Sequence, residues 1–242
     1  MCGRYTHLYT WKQLHRLMGL LSPEVQLPMR YNLAPTQSAP VIIRGDDAGG
    51  AVLRTMRWGL VPSWAKEEAI GNSLINARAE TIDTRPAFRN AFKKRRCIVP
   101  ISGFYEWQAI EGQKAKQPIY MTPTGVDPWL LAGLWESWAS PAGQLIDSYT
   151  IITTSANEMV SKVHDRMPVI LGPAEARQWI GTDPSKANPS ADQLRALLDP
   201  YPADLMLSQL VSRAVNSPKR DGPECIQRAD LQGFGGLFGP QS

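Results

Sequence analysis

Cysteine and histidine are scarce in this chain. Its 242 residues include three of each: Cys2, Cys97 and Cys225, and His7, His15 and His164. The cysteines are odd in number, far apart and without a C-x-x-C pair. That excludes a disulfide framework and leaves free thiols in a reducing, cytoplasmic setting as the simplest reading. The histidines are equally dispersed, so no metal is expected, and nothing else in the sequence calls for a bound cofactor. No apolar run approaches the ~20 residues of a bilayer span, and the basic-then-apolar layout of a secretory leader is missing. Charge of one sign is lacking too. Lys and Arg number 26 against 22 Asp and Glu, a net +4, which permits an anionic partner without demanding one.

What is present reads as short strands between turn residues. Apolar runs at Val41-Ile42-Ile43, 52–60, 97–101, 129–135 and 148–153 have strand length and β-branched content. Thr10 is placed to cap a helix running to about Leu20, with Leu14, Leu17, Met18 and Leu21 on one face. Further helices are expected at 86–93, 157–163, 173–180 and 190–198, the last stopped by Pro200. Strands and helices do not alternate regularly, and no repeat is evident. The class is therefore α+β, with an antiparallel or mixed sheet. Residues 1–231 suit a single domain, and the glycine-rich stretch 232–242 reads as a tail.

The chain opens Met1-Cys2-Gly3-Arg4-Tyr5. Loss of Met1 would leave Cys2 with a free α-amine beside its thiol, a 1,2-aminothiol that no internal cysteine offers. An amine titrating near ~8 and a thiol near ~8.5 are both partly nucleophilic at neutral pH. The amine can form an imine with an aldehyde, and the thiol can then close a five-membered thiazolidine. Position alone leaves a second reading open, a small buried thiol near a terminus.

Four signatures follow: Arg57-Trp58-Gly59-Leu60-Val61-Pro62-Ser63-Trp64; Asn76-Ala77-Arg78-Ala79-Glu80-Thr81, on a short helix or turn; Arg95-Arg96-Cys97-Ile98-Val99-Pro100 leading to Gly103-Phe104-Tyr105-Glu106-Trp107; and His164-Asp165-Arg166-Met167-Pro168. Together with Tyr31-Asn32-Leu33-Ala34-Pro35 and Val211-Ser212-Arg213-Ala214-Val215-Asn216, this ordered set resembles the SOS response-associated peptidase (SRAP) family over nearly the whole chain. The resemblance implies one SRAP-like domain with a central barrel-like sheet flanked by helices. It implies autocatalytic removal of Met1 and a covalent link from Cys2 to an abasic site in single-stranded DNA, with single-strand/double-strand junctions as a further target. A monomer suffices, at the nucleoid during DNA damage if the cell is bacterial.

By the same resemblance Cys2 is the nucleophile, with Asn76, Glu106 and His164 completing the site. The residue types fit those roles. A carboxyl group can shuttle protons, an imidazole can stabilise developing charge, and an amide can orient the Cys2 amine without titrating. Arg4, Arg78 and Arg85 are expected on the phosphates beside the abasic sugar. Arg166 is a further candidate that can instead pair with Asp165. Trp58 and Trp64 are offered as surfaces near bases, and Pro35 as part of the pocket wall. Trp129, Trp135 and Trp138 are assigned to the core. The basic run Lys93-Lys94-Arg95-Arg96 reads as a nucleic-acid patch or as a solvated helix end. Some family members carry two adjacent tryptophans where this chain has Trp64-Ala65, so a wedge beside the lesion rests here on one aromatic. Two other classes of function remain open on the sequence: a thiol peptidase using Cys2 and His164 on other proteins, and a non-covalent binder of single-stranded DNA.

Overall fold

The computed structural model describes residues 2–45, 49–183 and 189–229; the tail expected at 232–242 lies outside them. Among the described residues the strands are β1 (Tyr5–His7), β2 (Arg30–Leu33), β3 (Ser38–Arg44), β4 (Ala51–Trp58), β5 (Asn76–Arg78), β6 (Arg96–Ile101), β7 (Gly103–Gln108), β8 (Gln117–Pro123), β9 (Trp129–Ala139), β10 (Leu145–Ser155), β11 (Arg166–Pro168), β12 (Ile170–Leu171) and β13 (Met206–Leu210). The α-helices are α1 (Trp11–Met18), α2 (Arg89–Lys94), α3 (Pro173–Ile180) and α4 (Ala191–Arg195). No helix among the described residues is long and apolar enough to cross a membrane.

The apolar runs are continuous because both faces of their strands are buried. β3, β6, β9 and β10 alternate between two cores, as a two-residue side-chain period requires. Val41, Ile43, Cys97, Val99, Leu131 and Ile151 pack on one side with Trp58 and Tyr149. Ile42, Ile98, Ala132 and Ile152 pack on the other, against Leu14, Met18, Phe92 and Trp179 of α1, α2 and α3. With β4 these four strands close into a five-stranded barrel. β4 pairs with β3, β3 with β6, β6 with β9 and β9 with β10, all antiparallel. A parallel step from β10 to β4, Ser148 opposite Arg57, completes the barrel. Gly133 sits where β9 crosses the packed interior: a Cβ there would lie 2.9 Å from both Cys97 Sγ and the Thr150 carbonyl oxygen.

A second sheet, ordered β13-β8-β7-β1-β2, lies beside the barrel. β6 and β7 are separated only by Ser102, which joins the two sheets through its backbone N–H to the Thr6 carbonyl at 2.9 Å. The long strand β10 extends beyond the barrel, pairing with β5 in parallel and with β11 antiparallel. The barrel thus supports β5 and β11, while the second sheet holds β1 and β7.

Local chemistry explains where the helices differ from the sequence reading. α1 has the expected cap: Thr10 Oγ1 accepts from the Gln13 N–H at 3.3 Å, and Gln13 Oε1 accepts from the Thr10 N–H at 2.8 Å. It stops at Met18 because Gly19 turns left-handed at φ 63°. Leu21 therefore falls off the helix and is 59% exposed. At 157–163 only a 3-10 turn, Val160–Lys162, forms. There the Asn157 side chain accepts from the N–H groups of Met159 and Val160 and tightens the turn. Asn76–Arg78 is a strand rather than a helix, with a 3-10 turn after it at Ala79–Thr81. Trp129 and Trp138 are buried as expected, and Trp135 is partly so.

His7 illustrates what burial costs. It is almost inaccessible and stacks on Tyr9 at 4.2 Å, and its Nε2 makes no hydrogen bond to the described residues. Burial, reinforced by Arg30, pulls its pKa down to about 4. The unfolded chain binds a proton there below about 6.5, whereas the fold does not until pH 4. Stability from neutral His7 is thus complete above 6.5 and is lost as pH falls toward 4. Chemical denaturation at the two pH values should show wild type losing about 3 kcal/mol more than His7→Phe. Equal losses would place the acid sensitivity elsewhere.

Candidate active site

Cys2 lies just ahead of β1 and is fully buried. Tyr5 pairs with Phe104 and Thr6 with Gly103, and the Tyr105 N–H donates to the Arg4 carbonyl at 3.0 Å. Continued in that register, the chain passes alongside Glu106 on β7 as it reaches Gly3 and Cys2. Asn76 opens β5 opposite Ile151 of β10. Its Nδ2 donates to the Cys2 carbonyl at 3.0 Å, so the amide grips the backbone of Cys2, where the sequence reading had given it the amine. Asn76 Oδ1 is buried and accepts no hydrogen bond from the described residues. His164 follows the Val160–Lys162 turn and leads into β11.

Electrostatics tie these groups together. Burial pushes the Cys2 thiol far up, and the negative charge of Glu106 adds to the rise. Glu106 is 4% exposed. Burial raises its carboxyl too, against the downward pull of nearby positive charge, that of His164 included. Both groups therefore favour their neutral forms. His164 Nδ1 faces two partners, the Arg166 backbone N–H at 3.0 Å and Asp165 Oδ1 at 2.8 Å. A neutral imidazole accepts from the first, and an imidazolium donates to the second. The ring is thus supported in either state, which suits a group that changes charge during a reaction.

The other predicted residues divide into two groups. Arg78, Arg85 and Trp64 are on the surface, Trp64 at 57% exposure. Pro35 is half-buried beside Thr36, whose φ is +73°. Arg4 is half-buried, bonded through Nη1 to Asn32 Oδ1 and stacked over Trp107 at 5.9 Å. Trp58 and Arg166 are structural instead. Trp58 is fully buried between Tyr5 and Tyr149, with no face for a base, and its Nε1 donates to the Ile75 carbonyl at 3.0 Å. It thereby seats the residue before Asn76. Arg166 is 9% exposed and forms a two-pronged pair with Glu80 at 2.5 and 2.9 Å, with a further bond to the Thr153 carbonyl at 2.6 Å. Its acidic partner is Glu80 rather than Asp165, and the pairing ties the turn after β5 to β11.

Half of the basic run is also committed. Arg95 bonds to Glu136, and Arg96 donates to the Phe92 and Lys93 carbonyls. With Arg44, Lys93, Lys94 and Arg96 border a separate cavity of about 600 Å³ that none of Cys2, Asn76, Glu106 and His164 lines. Sequence reasoning missed Trp107, which carries Arg4 and donates to Asn216 Oδ1 at 2.7 Å. Its place directly after Glu106 was the available signal.

Comparison with known proteins identifies the family and the fold. Residues 1–218 match the profile of the SOS response associated peptidase (SRAP) family. The chain is similar to "Abasic site processing protein YoqW" of Bacillus subtilis, 40% identical over 94% of this chain and 99% of that one. It is also similar to mouse "Abasic site processing protein HMCES", 31% identical over 89% of this chain and 69% of that one. Among solved structures, a Bacteroides thetaiotaomicron protein superposes with a TM-score of 0.81 at 26% identity, over 94% of this chain and all of that one.

Proposed function

The chain belongs to the SOS response-associated peptidase family, and from that premise we propose that it captures abasic sites in single-stranded DNA as a covalent thiazolidine on Cys2. The observation that carries this reading is the grip of Asn76 on the Cys2 carbonyl, which holds a buried cysteine near a buried carboxyl group. A Cys2 amine freed of Met1 would supply a donor for Asn76 Oδ1.

The steps balance on these groups. The thiol adds to the Met1 carbonyl carbon and displaces the Cys2 nitrogen, giving a thioester and a free amine; water then cleaves the thioester, releasing methionine and restoring the thiol. The amine adds to the aldehyde carbon of the opened deoxyribose. Glu106, whose burial favours its neutral form, donates to the resulting hydroxyl, which leaves as water and yields an iminium. His164 stabilises charge at the sugar oxygen. The thiol then adds to the iminium carbon, its proton passes to the Glu106 carboxylate, and the acid is restored. Ring closure saturates that carbon. The electron sink needed for β-elimination disappears, and the strand stays intact. Arg4, Arg78 and Arg85 hold the flanking phosphates, Trp64 offers a face to a base, and Pro35 shapes the wall.

A thiol peptidase acting on other proteins fits less well. Repeated turnover on other proteins calls for a thiolate held ready by a lowered pKa, whereas Cys2 is pushed the other way; a single cleavage after Met1 within the same chain does not call for one. The test mixes Met1-free protein with single-stranded DNA carrying one abasic site. A band surviving denaturation, with the mass of protein plus DNA minus one water and formed without borohydride, is expected. Its absence from correctly folded, processed protein would leave non-covalent DNA binding or peptidase activity in its place.

A further inference from the structure

Arg4 is the one of the three proposed phosphate contacts whose guanidinium is hydrogen-bonded to the described residues of the fold. Its Nη1 donates to Asn32 Oδ1 at 2.8 Å and to the Val215 carbonyl at 3.0 Å. The guanidinium lies over the Trp107 ring, and its Nε and Nη2 make no hydrogen bond to the described residues. Those two nitrogens form one edge of the guanidinium, a fork that matches two phosphate oxygens. Fixing Nη1 inward therefore presents the fork outward.

Asn32 is the hub of that arrangement. It is fully buried on β2. Its Nδ2 faces the carbonyls of Val215, Ser217 and Arg220 at 3.2, 3.0 and 2.7 Å. The backbone N–H groups of Tyr31 and Asn32 both donate to Asp221 Oδ1, at 2.6 and 2.7 Å. The segment 213–221 is thus strapped to β2, and its Asn216 receives Trp107 Nε1–H. One buried amide sets the position of the strap through Nδ2 and of Arg4 through Oδ1. The strap, through Asn216, fixes the ring on which Arg4 rests.

We infer that Asn32 is a positioning residue for DNA-backbone recognition, aiming the Nε/Nη2 edge of Arg4 at a phosphodiester beside the reacting sugar. This rests on the proposed role of Arg4 but not on the covalent chemistry. The test therefore uses an ordinary single-stranded oligonucleotide, without an abasic site, across a salt series. Each phosphate contact on a single strand contributes about 0.7 to the slope of log affinity against log salt. Arg4→Ala should lower the slope by about that amount and weaken binding roughly tenfold or more. Asn32→Ala should do the same, and the double variant should lose no more than either single one. Asn32→Asp, which pairs its carboxylate with Arg4, should also lose the contact and serves if the alanine variant does not fold. On abasic DNA, the Asn32 variants should raise the half-saturating DNA concentration more than they lower the rate at saturation.

A merely structural Asn32 would lower the melting temperature and leave the slope intact. That result, or additive losses in the double variant, would overturn the inference. An unchanged slope in Arg4→Ala would overturn the phosphate role of Arg4 and the inference with it. A missing covalent band on abasic DNA would count against the chemistry alone.

Discussion

Replacing Cys2 by alanine is expected to eliminate the DNA adduct that survives denaturation without a reductant. The reason lies in the division of labour within a 1,2-aminothiol. Alanine keeps the α-amine once Met1 is removed but has no thiol to close the ring. Such a variant also lacks the nucleophile proposed for its own processing, so Met1 must be taken off by an added aminopeptidase. With Met1 retained, no covalent product should form, with or without borohydride. With Met1 removed, an imine should appear only when borohydride traps it, and strand cleavage by β-elimination should accompany it. Non-covalent affinity should persist, because Arg4, Arg78, Arg85 and Trp64 are untouched and surface charge dominates binding to the backbone. A normal yield of stable adduct from Cys2→Ala would sink the thiazolidine mechanism outright.

The barrel was readable for a physical reason. Strands buried on both faces carry unbroken apolar runs, so Val41 to Ile43, Cys97 to Ile101 and the start of β9 stood out. α1 is marked by its Thr10 cap, and its end by the left-handed Gly19, one residue short of the expected stop at Leu20. β1, β2 and β13 were not legible. They are three to five residues long and mix polar with apolar side chains, and only pairing with distant strands makes them strands. The site depends on that same non-local pairing. Cys2 meets Glu106 through the register of β1 on β7, and Asn76 reaches Cys2 because β10 carries β5. No local pattern encodes either meeting, so the assignment of Cys2, Asn76, Glu106 and His164 rested on the family's ordered motifs. Partner identity was the least legible of all. Arg166 has an acidic neighbour in sequence, Asp165, yet its carboxylate partner is Glu80, after the strand on the other side of β10. The Trp58 indole, offered as a base platform, lies under the strand that bears Asn76.

Exchanging Glu106 for glutamine is expected to slow covalent capture by about 10²–10⁴-fold at neutral pH, the usual worth of a positioned acid–base group. Affinity for undamaged single-stranded DNA should stay nearly unchanged, since Glu106 is buried and none of the proposed phosphate contacts depends on it. Glutamine keeps the size of the side chain and its place on β7 but cannot give a proton to the departing water or take one from the thiol. The same substitution should alter stability with a definite sign. Burial holds the Glu106 carboxyl above its ordinary value, so the folded protein retains a proton that the unfolded chain has released. Wild-type stability from this group is complete at low pH and declines as pH rises past the ordinary carboxyl range. Glutamine does not titrate and escapes that decline. The melting temperature of Glu106→Gln relative to wild type should therefore climb as pH rises from the ordinary carboxyl range toward the raised pKa of the folded carboxyl, while its capture rate falls behind. A buried carboxyl that favours its neutral form at some cost in stability predicts both changes together. A variant that captured abasic DNA at the wild-type rate would remove Glu106 from the chemistry. One whose relative stability did not rise with pH would show that its carboxyl is not held above the ordinary range.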